Sequence, residues 1–285
     1  MSYLVAVDVL APYAFSFFGR GLVAATLSGA LCGVLGVYVV LRGMSYIGHG
    51  LSHAVFGGAA ASAVMSVNFF VGAGVWGVIS GVLIGRIARR KILGADAAIG
   101  IVTTASFAGG IALLNRYGQA RKSIEAVLFG SVLGVSWGDV LAIFIVSLLV
   151  GVVLLVSYRA FLFATFDPQV AAVSGQRVTA IEITLMVMLS GTILVTMRVI
   201  GTLLISALLV IPAATARMMT NSFAKMLLIS PILGATSCFV GMNLSYHLDT
   251  SAGATIILVA AGVFTGVYLL AGRRARVRVA SLHHV

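Results

Sequence analysis

Two histidines four residues apart carry the strongest chemical signal in this chain. His49 and His53 stand in the run MSYIGHGLSHAVFGGAA, which must become helical if it enters lipid, because only a helix satisfies its own backbone there. At positions i and i+4 both imidazoles lie on one helix face. Two neutral nitrogens that close can share a borderline cation, and such a donor set suits Zn²⁺, Cu²⁺ or Ni²⁺ better than Mg²⁺ or Ca²⁺. The plainer reading has them hydrogen-bonded to neighbouring helices or facing a loop. Ionisable groups are costly within a membrane, which favours the metal reading for a pair in so apolar a setting. Two ligands are too few for a structural site, whereas a pathway must bind weakly enough to release.

Other candidates are weaker. His247 and Asp249, in SYHLDTSAGA, fall in an expected outer loop where they could meet an incoming cation. Equally, Asp249 could cap the helix starting near Ala252. Glu182 enters a span within about a turn of Arg177 and reads as an interfacial or paired group. Glu125, Asp139 and Asp96 sit at span margins and form no constellation. Cys32 and Cys238 lie in apolar runs with no Cys/His spacing and read as small buried hydrophobes. A phosphate loop of the GxxxxGK[ST] type, a nucleophile elbow, HExxH and paired catalytic carboxylates are all missing, so the chain is expected to be no enzyme and to hold no permanent cofactor.

The elements that position these residues follow from composition. Of 285 residues 61% are hydrophobic and 9% charged, against about 25% charged in ordinary soluble domains. The mean hydropathy is +1.15. The 18 Lys and Arg with 7 Asp and Glu cannot cover a surface of this size, so lipid must. The net charge of +11 does not indicate nucleic acid, since the basic residues sit between apolar runs rather than on an aromatic-bearing polar face. The fold class is all-α, a polytopic membrane helix bundle of about eight or nine transmembrane helices. Candidate spans run from Gly21 to Leu41, Gly48 to Val67, Phe70 to Ile87, Ala97 to Leu114, Val140 to Tyr158, Val178 to Thr196, Val199 to Ala213, Met226 to Leu244 and Ala252 to Ala271.

The positive-inside rule places Arg86, Arg89, Arg90 and Lys91 in the cytoplasm, together with Arg273, Arg274, Arg276 and Arg278. That puts Arg159 to Arg177 and Arg217 to Lys225 inside, the N-terminus outside and the C-terminus inside. Arg116, Arg121 and Lys122 then fall outside, beside a moderately apolar stretch from Ser123 to Val135 that could be a re-entrant or interfacial helix. Gly29 with Gly33, and Gly57 with Ala61, are small-xxx-small steps that let helices approach closely in lipid. Pro212 is expected to end a span and Pro231 to kink one. His283 and His284 close a basic tail and read as a flexible end. Residues 1–285 are expected to form a single transmembrane permease domain, with a basic tail at 273–285.

Five stretches also carry a resemblance. The run VLRGMSYIGHGLSHAVFGGAA is similar to the second-span signature of the zinc/manganese/iron family of ABC-transporter permeases. FGSVLGVSWGDV, FDPQVAAVSGQRV, VIGTLLISALLVIPAATAR and SYHLDTSAGATIILVAA follow in that family's order and spacing. The likeness covers Gly21 to Ala271. It implies a multi-pass subunit of the bacterial-type plasma membrane, working as a homodimer. Cytoplasmic ATP-binding subunits and an extracytoplasmic metal-binding protein would be its partners. The segment near 160–177 would be the coupling helix that docks on the ATPase. Its local chemistry suits that role: Asp167 can cap a short helix opened by Pro168, Val170 and Val173 offer an apolar contact, and Gly175 permits a turn back.

One departure stands out. The family commonly presents an acidic residue where this chain has His49, followed by the histidine matched by His53. A carboxylate with an imidazole would suit Mn²⁺ or Fe²⁺, while two imidazoles shift preference toward Zn²⁺ without deciding it. The expected cargo is thus Zn²⁺ or Mn²⁺, zinc slightly ahead, with iron a further possibility. The alternative from another class is a secondary cation carrier driven by a proton or sodium gradient, in which the histidines would relay protons.

Overall fold

The computed structural model describes residues 11–89, 94–117 and 134–282. Arg90 and Lys91, Arg121, Lys122 and Glu125, most of the Ser123 to Val135 stretch, and His283 and His284 lie outside the described residues, as do the side chains of Arg89, Arg273, Arg274, Arg276 and Arg278. After a short 3₁₀ turn at Ala11–Ala14 come α1 (Ser16–Leu41), α2 (Ile47–Met65), α3 (Phe69–Arg89) and α4 (Ala95–Tyr117). Then follow α5 (Trp137–Val156), α6 (Tyr158–Phe166), α7 (Pro168–Val173), α8 (Val178–Met219), α9 (Phe223–Leu248) and α10 (Ala252–Leu282). No strand occurs among the described residues.

Among the described residues, eight stretches are long and apolar enough to cross a membrane: α1, Phe69–Ala88, α4, α5, Val178–Met197, Val199–Met219, α9 and Ala252–Ala271. The ninth candidate, α2, is not among them, because its histidines, serines and glycines dilute its apolarity. It is nonetheless buried along most of its length and packs on α3, α4 and α8. A helix enclosed by other helices need not be as apolar as one facing lipid. The contrast is α5, which exposes Leu141, Phe144, Ile145, Leu148, Leu149 and Val152; in lipid this face costs nothing. Its start is fixed by a capping box: Ser136 Oγ accepts from the Asp139 N–H at 3.2 Å and the Asp139 carboxylate accepts from the Ser136 N–H at 3.0 Å. Asp139 thus acquires a local structural role.

The core is built on α1, which packs against α8 and α9. A Cβ at Gly29 would stand 2.6 Å from the Cys238 sulfur, and one at Gly33 would stand 2.7 Å from the Ser230 carbonyl oxygen. The small residues therefore set how closely the two backbones lie, as expected where packing and hydrogen bonds drive association. Ser230 Oγ adds a hydrogen bond to the Gly33 carbonyl at 2.6 Å. Cys32 and Cys238 are free and buried, as read from the sequence.

Within α8 the chain turns back at Gly201, whose φ of 75° and ψ of 160° break the helix. Before the break, Ser190 lies beside Gly77 and Gly81, and Leu194 beside Gly74. Gly81 itself lies near Leu51 and Gly77 near Val55, so this half climbs α2 toward its C-terminal end. Beyond the break Ser206 and Leu209 are back against Gly48, near the start of α2. One helical element thus supplies two of the candidate spans. By contrast, the expectation that Pro212 ends a span is corrected: α8 continues through it to Met219. A membrane helix tolerates proline where neighbouring groups take up the freed carbonyl.

Gly201 occupies backbone space that is essentially closed to side-chain-bearing residues, at a cost of about 1–3 kcal/mol. Gly201→Ala is accordingly expected to lower the melting temperature and yield of the detergent-solubilised protein, whereas Ala at the helical, unobstructed Gly191 is expected to do neither. Equal melting of the two variants would contradict a reversal held at Gly201.

Candidate metal site and coupling segment

The α1–α2 turn delivers the histidines. The Arg42 N–H donates to the Tyr38 carbonyl at 3.1 Å, Gly43 takes a φ of 67°, and the Met44 N–H reaches back to the Val39 carbonyl at 3.0 Å. This closes α1 in a tight αL-type end and starts α2 within a few residues. His49 therefore lies in the first turn of α2 and His53 in the second.

Their Nε2 atoms stand 3.2 Å apart, with the rings edge to face at 4.5 Å between centroids. An ion about 2.0–2.1 Å from both nitrogens would see them at an angle of about 100°, between the tetrahedral and octahedral values. The i, i+4 spacing alone thus brings the nitrogens to a chelating separation. His49 is exposed, while His53 is half-buried with its ring 5.0 Å from that of Phe107. His53 Nδ1 is buried and has no hydrogen-bond partner.

Both rings line a cavity of about 500 Å³ whose wall also includes Tyr46, Asp96, Thr103 and Phe107. Asp96 is the residue that sequence reasoning passed over. It lies in the first turn of α4, and α2 and α4 run parallel, since Gly50 packs against Thr103 and Gly57 against Gly110. Asp96 therefore stands on the wall toward the start of α2. Among the described residues no three His, Cys, Asp or Glu side chains are close enough to enclose one ion.

His247 and Asp249 are not brought to this cavity. His247 closes α9, at the end of the bundle where Tyr13 donates to the Asn243 side chain and α1 begins. Its Nε2 is buried without a hydrogen-bond partner, and its ring meets Tyr246 edge-on at 5.5 Å. Asp249 is the C-cap of α9 in the left-handed conformation, with φ 49°. The cap thus lies on the preceding helix rather than on the one that starts at Ala252.

The candidate coupling segment has the local structure that its residues dictate. The Asp167 carboxylate accepts from the N–H groups of Gln169 at 3.0 Å and Val170 at 2.9 Å, capping α7, and Pro168 opens it. Gly175 turns the chain with φ 81°. Val173 is 91% exposed and Val170 half-exposed, while Ala171 faces inward. Beneath lies a second cavity of about 320 Å³, lined by Arg42, Met44, Ala95, Thr165, Pro168 and Glu182. There Arg42 Nε donates to Thr165 Oγ1 at 3.4 Å.

The sequence profile of the ABC 3 transport family matches residues 14–271. The chain belongs to this family. It is 34% identical over 260 residues to a manganese transport system membrane protein, MntC, of Listeria innocua, spanning 91% of this chain and 92% of that one. It is 35% identical over 272 residues to the manganese import system permease protein ScaB of Streptococcus parasanguinis, with 95% and 96% covered. A probable iron transport system membrane protein of Haemophilus influenzae is 33% identical over 270 residues, with 95% and 98% covered. Among solved structures, PsaBC from Streptococcus pneumoniae in complex with Fab matches with a TM-score of 0.82 and 31% identity, covering 93% of this chain and 95% of that one. The protein is the membrane-spanning permease subunit of an ABC metal importer, and ATP hydrolysis belongs to a separate subunit. Nothing in these similarities supports the gradient-driven carrier.

Proposed function

We propose that the permease carries Mn²⁺ or Fe²⁺ across the bacterial plasma membrane and that His49 and His53 are the ligands the ion meets in transit. The observation that carries this is the Nε2 pair at 3.2 Å, facing a cavity on an otherwise apolar helix. Imidazole nitrogens alone favour zinc over manganese at equilibrium, which is why zinc led on the residues. The relatives, named for manganese and iron, move those ions ahead. Selectivity then belongs as much to the delivering protein as to the path.

In this reading the chain acts as one permease unit with a second copy of itself. Cytoplasmic ATP-binding subunits dock on the segment near 160–177, and an extracytoplasmic metal-binding protein supplies the ion at the opposite end. The N-terminus faces outward and the C-terminus lies in the cytoplasm. Support for the docking comes from the capped, outward-facing α7, and for the assembly from the likeness to PsaBC.

The test is uptake by proteoliposomes. Permease with its ATPase subunits and delivery protein is expected to accumulate manganese only with ATP. Excess unlabelled iron is expected to compete for that uptake. Metal movement by the permease alone under a pH gradient would overturn the reading.

A further inference from the structure

We infer that Asp96 is a metal-contacting residue of the path: its carboxylate takes the ion from the histidine pair on the side facing the coupling segment. This rests on the reading of His49 and His53 as transit ligands. The two helices that line the cavity are parallel, and Asp96 lies a turn before Ile99 and Gly100, toward the start of α2. Its neighbour Ala95 lines the second cavity together with Thr165 and Pro168. Met44 and Tyr46 are divided in the same way, Met44 on the second cavity and Tyr46 on the first. A step from the histidines to Asp96 is therefore a step toward the end of the molecule where α7 stands.

The chemistry of the wall fits a transfer. Among the described residues lining the cavity, Asp96 is the sole anionic side chain, and Thr103 and Thr104 add hydroxyl groups. Two imidazoles are borderline donors that retain zinc more tightly than manganese or iron, whereas a carboxylate with hydroxyls or water suits Mn²⁺ and Fe²⁺ better. Because no three ligating side chains converge, the ion is held in turn by partial sets. Sites of that kind release it again.

A purely structural account would have Asp96 serve the partial positive charge at the start of α4, and the test separates the two. Asp96→Asn keeps the shape and the hydrogen-bonding capacity of the side chain; Asp96→Glu keeps its charge. In proteoliposomes containing permease and ATPase subunits, supplied with the delivery protein, Asp96→Asn is expected to lower the initial rate of ATP-driven manganese uptake roughly 10-fold or more, the scale seen when a metal-site contact is lost. Zinc uptake is expected to fall less, so the manganese-to-zinc ratio drops. Asp96→Glu is expected to keep most of the wild-type rate and ratio. Uptake by Asp96→Asn at the wild-type rate and ratio would overturn the assignment. So would an equal loss in the Asn and Glu variants, or an equal loss for both metals. The double variant His49→Ala/His53→Ala, run alongside, tests the underlying reading: wild-type uptake there refutes the histidine pair, whatever the Asp96 variants do.

Discussion

Replacing both His49 and His53 with alanine is expected to abolish metal uptake while leaving the permease folded and assembled with its ATPase. Loss of second-shell contacts already costs about 10–100-fold at metal sites, so removing both ligands is expected to reduce ATP-driven manganese uptake by at least ~100-fold. Folding is expected to survive, because the histidines contribute little to the core. His49 is exposed and His53 half-buried. The contacts that pack α2, such as Leu51, Ala54 and Val55, are fully buried and untouched. A truncated His53 leaves a gap against Phe107, beside a cavity that is already open. Uptake of ⁵⁴Mn by reconstituted complex, with melting temperature and complex elution as controls, reads both halves of the prediction. His49→Asp supplies the finer arm. It restores the carboxylate–imidazole pair expected of relatives and is expected to retain uptake while raising manganese over zinc. Normal uptake by the double alanine variant would move the transit ligands elsewhere.

The histidine pair was legible because its geometry is local. An i, i+4 spacing on an obligatory helix brings the two rings together whatever the rest of the chain does. The same holds for Asp167, Pro168 and Gly175, whose capping, opening and turning roles depend on neighbours a few residues away. Asp96 was illegible for the opposite reason. Nothing in its own surroundings distinguishes it from a residue at a helix margin; only the parallel packing of α2 on α4, set by the small residues Gly50, Gly57 and Gly110, carries it to the cavity wall. Asp249 shows a smaller version of the problem, since one residue in a short loop can cap the helix behind it as readily as the one ahead. Helix α2 shows a limit of apolarity as a guide. A span enclosed by protein is free to carry polar groups, so the helix that bears the histidine pair is the one missing from the apolar set. The turn at Gly201 left two apolar stretches that were read as separate spans, yet no polar loop marks the junction.

Changing Val173 to glutamate is expected to separate the permease from its ATPase without disturbing the bundle. Val173 is 91% exposed at the end of α7, an unusual place for an aliphatic side chain on a segment held so firmly by the Asp167 cap and the Gly175 turn. If the ATPase covers it, burial of a valine contributes about 1.5–3 kcal/mol, so its loss alone corresponds to roughly 10- to 100-fold weaker association. A carboxylate brought into that contact without a partner costs more. Metal uptake and delivery-protein-stimulated ATP hydrolysis are expected to fall together, in proportion to the complex lost. Manganese binding to the isolated permease is expected to be unchanged, because Val173 does not line the histidine cavity. Asp167→Ala provides a graded comparison: the lost cap costs about 1 kcal/mol, so association is expected to weaken but remain measurable. Co-elution of permease and ATPase from a sizing column, titrated over concentration, distinguishes these levels. Undiminished association of Val173→Glu would place the docking contact away from the exposed end of α7. Loss of manganese binding in the same variant would instead show that the substitution reaches the metal cavity through the Pro168–Ala95 wall, joining the two sites more tightly than separate docking and binding surfaces allow.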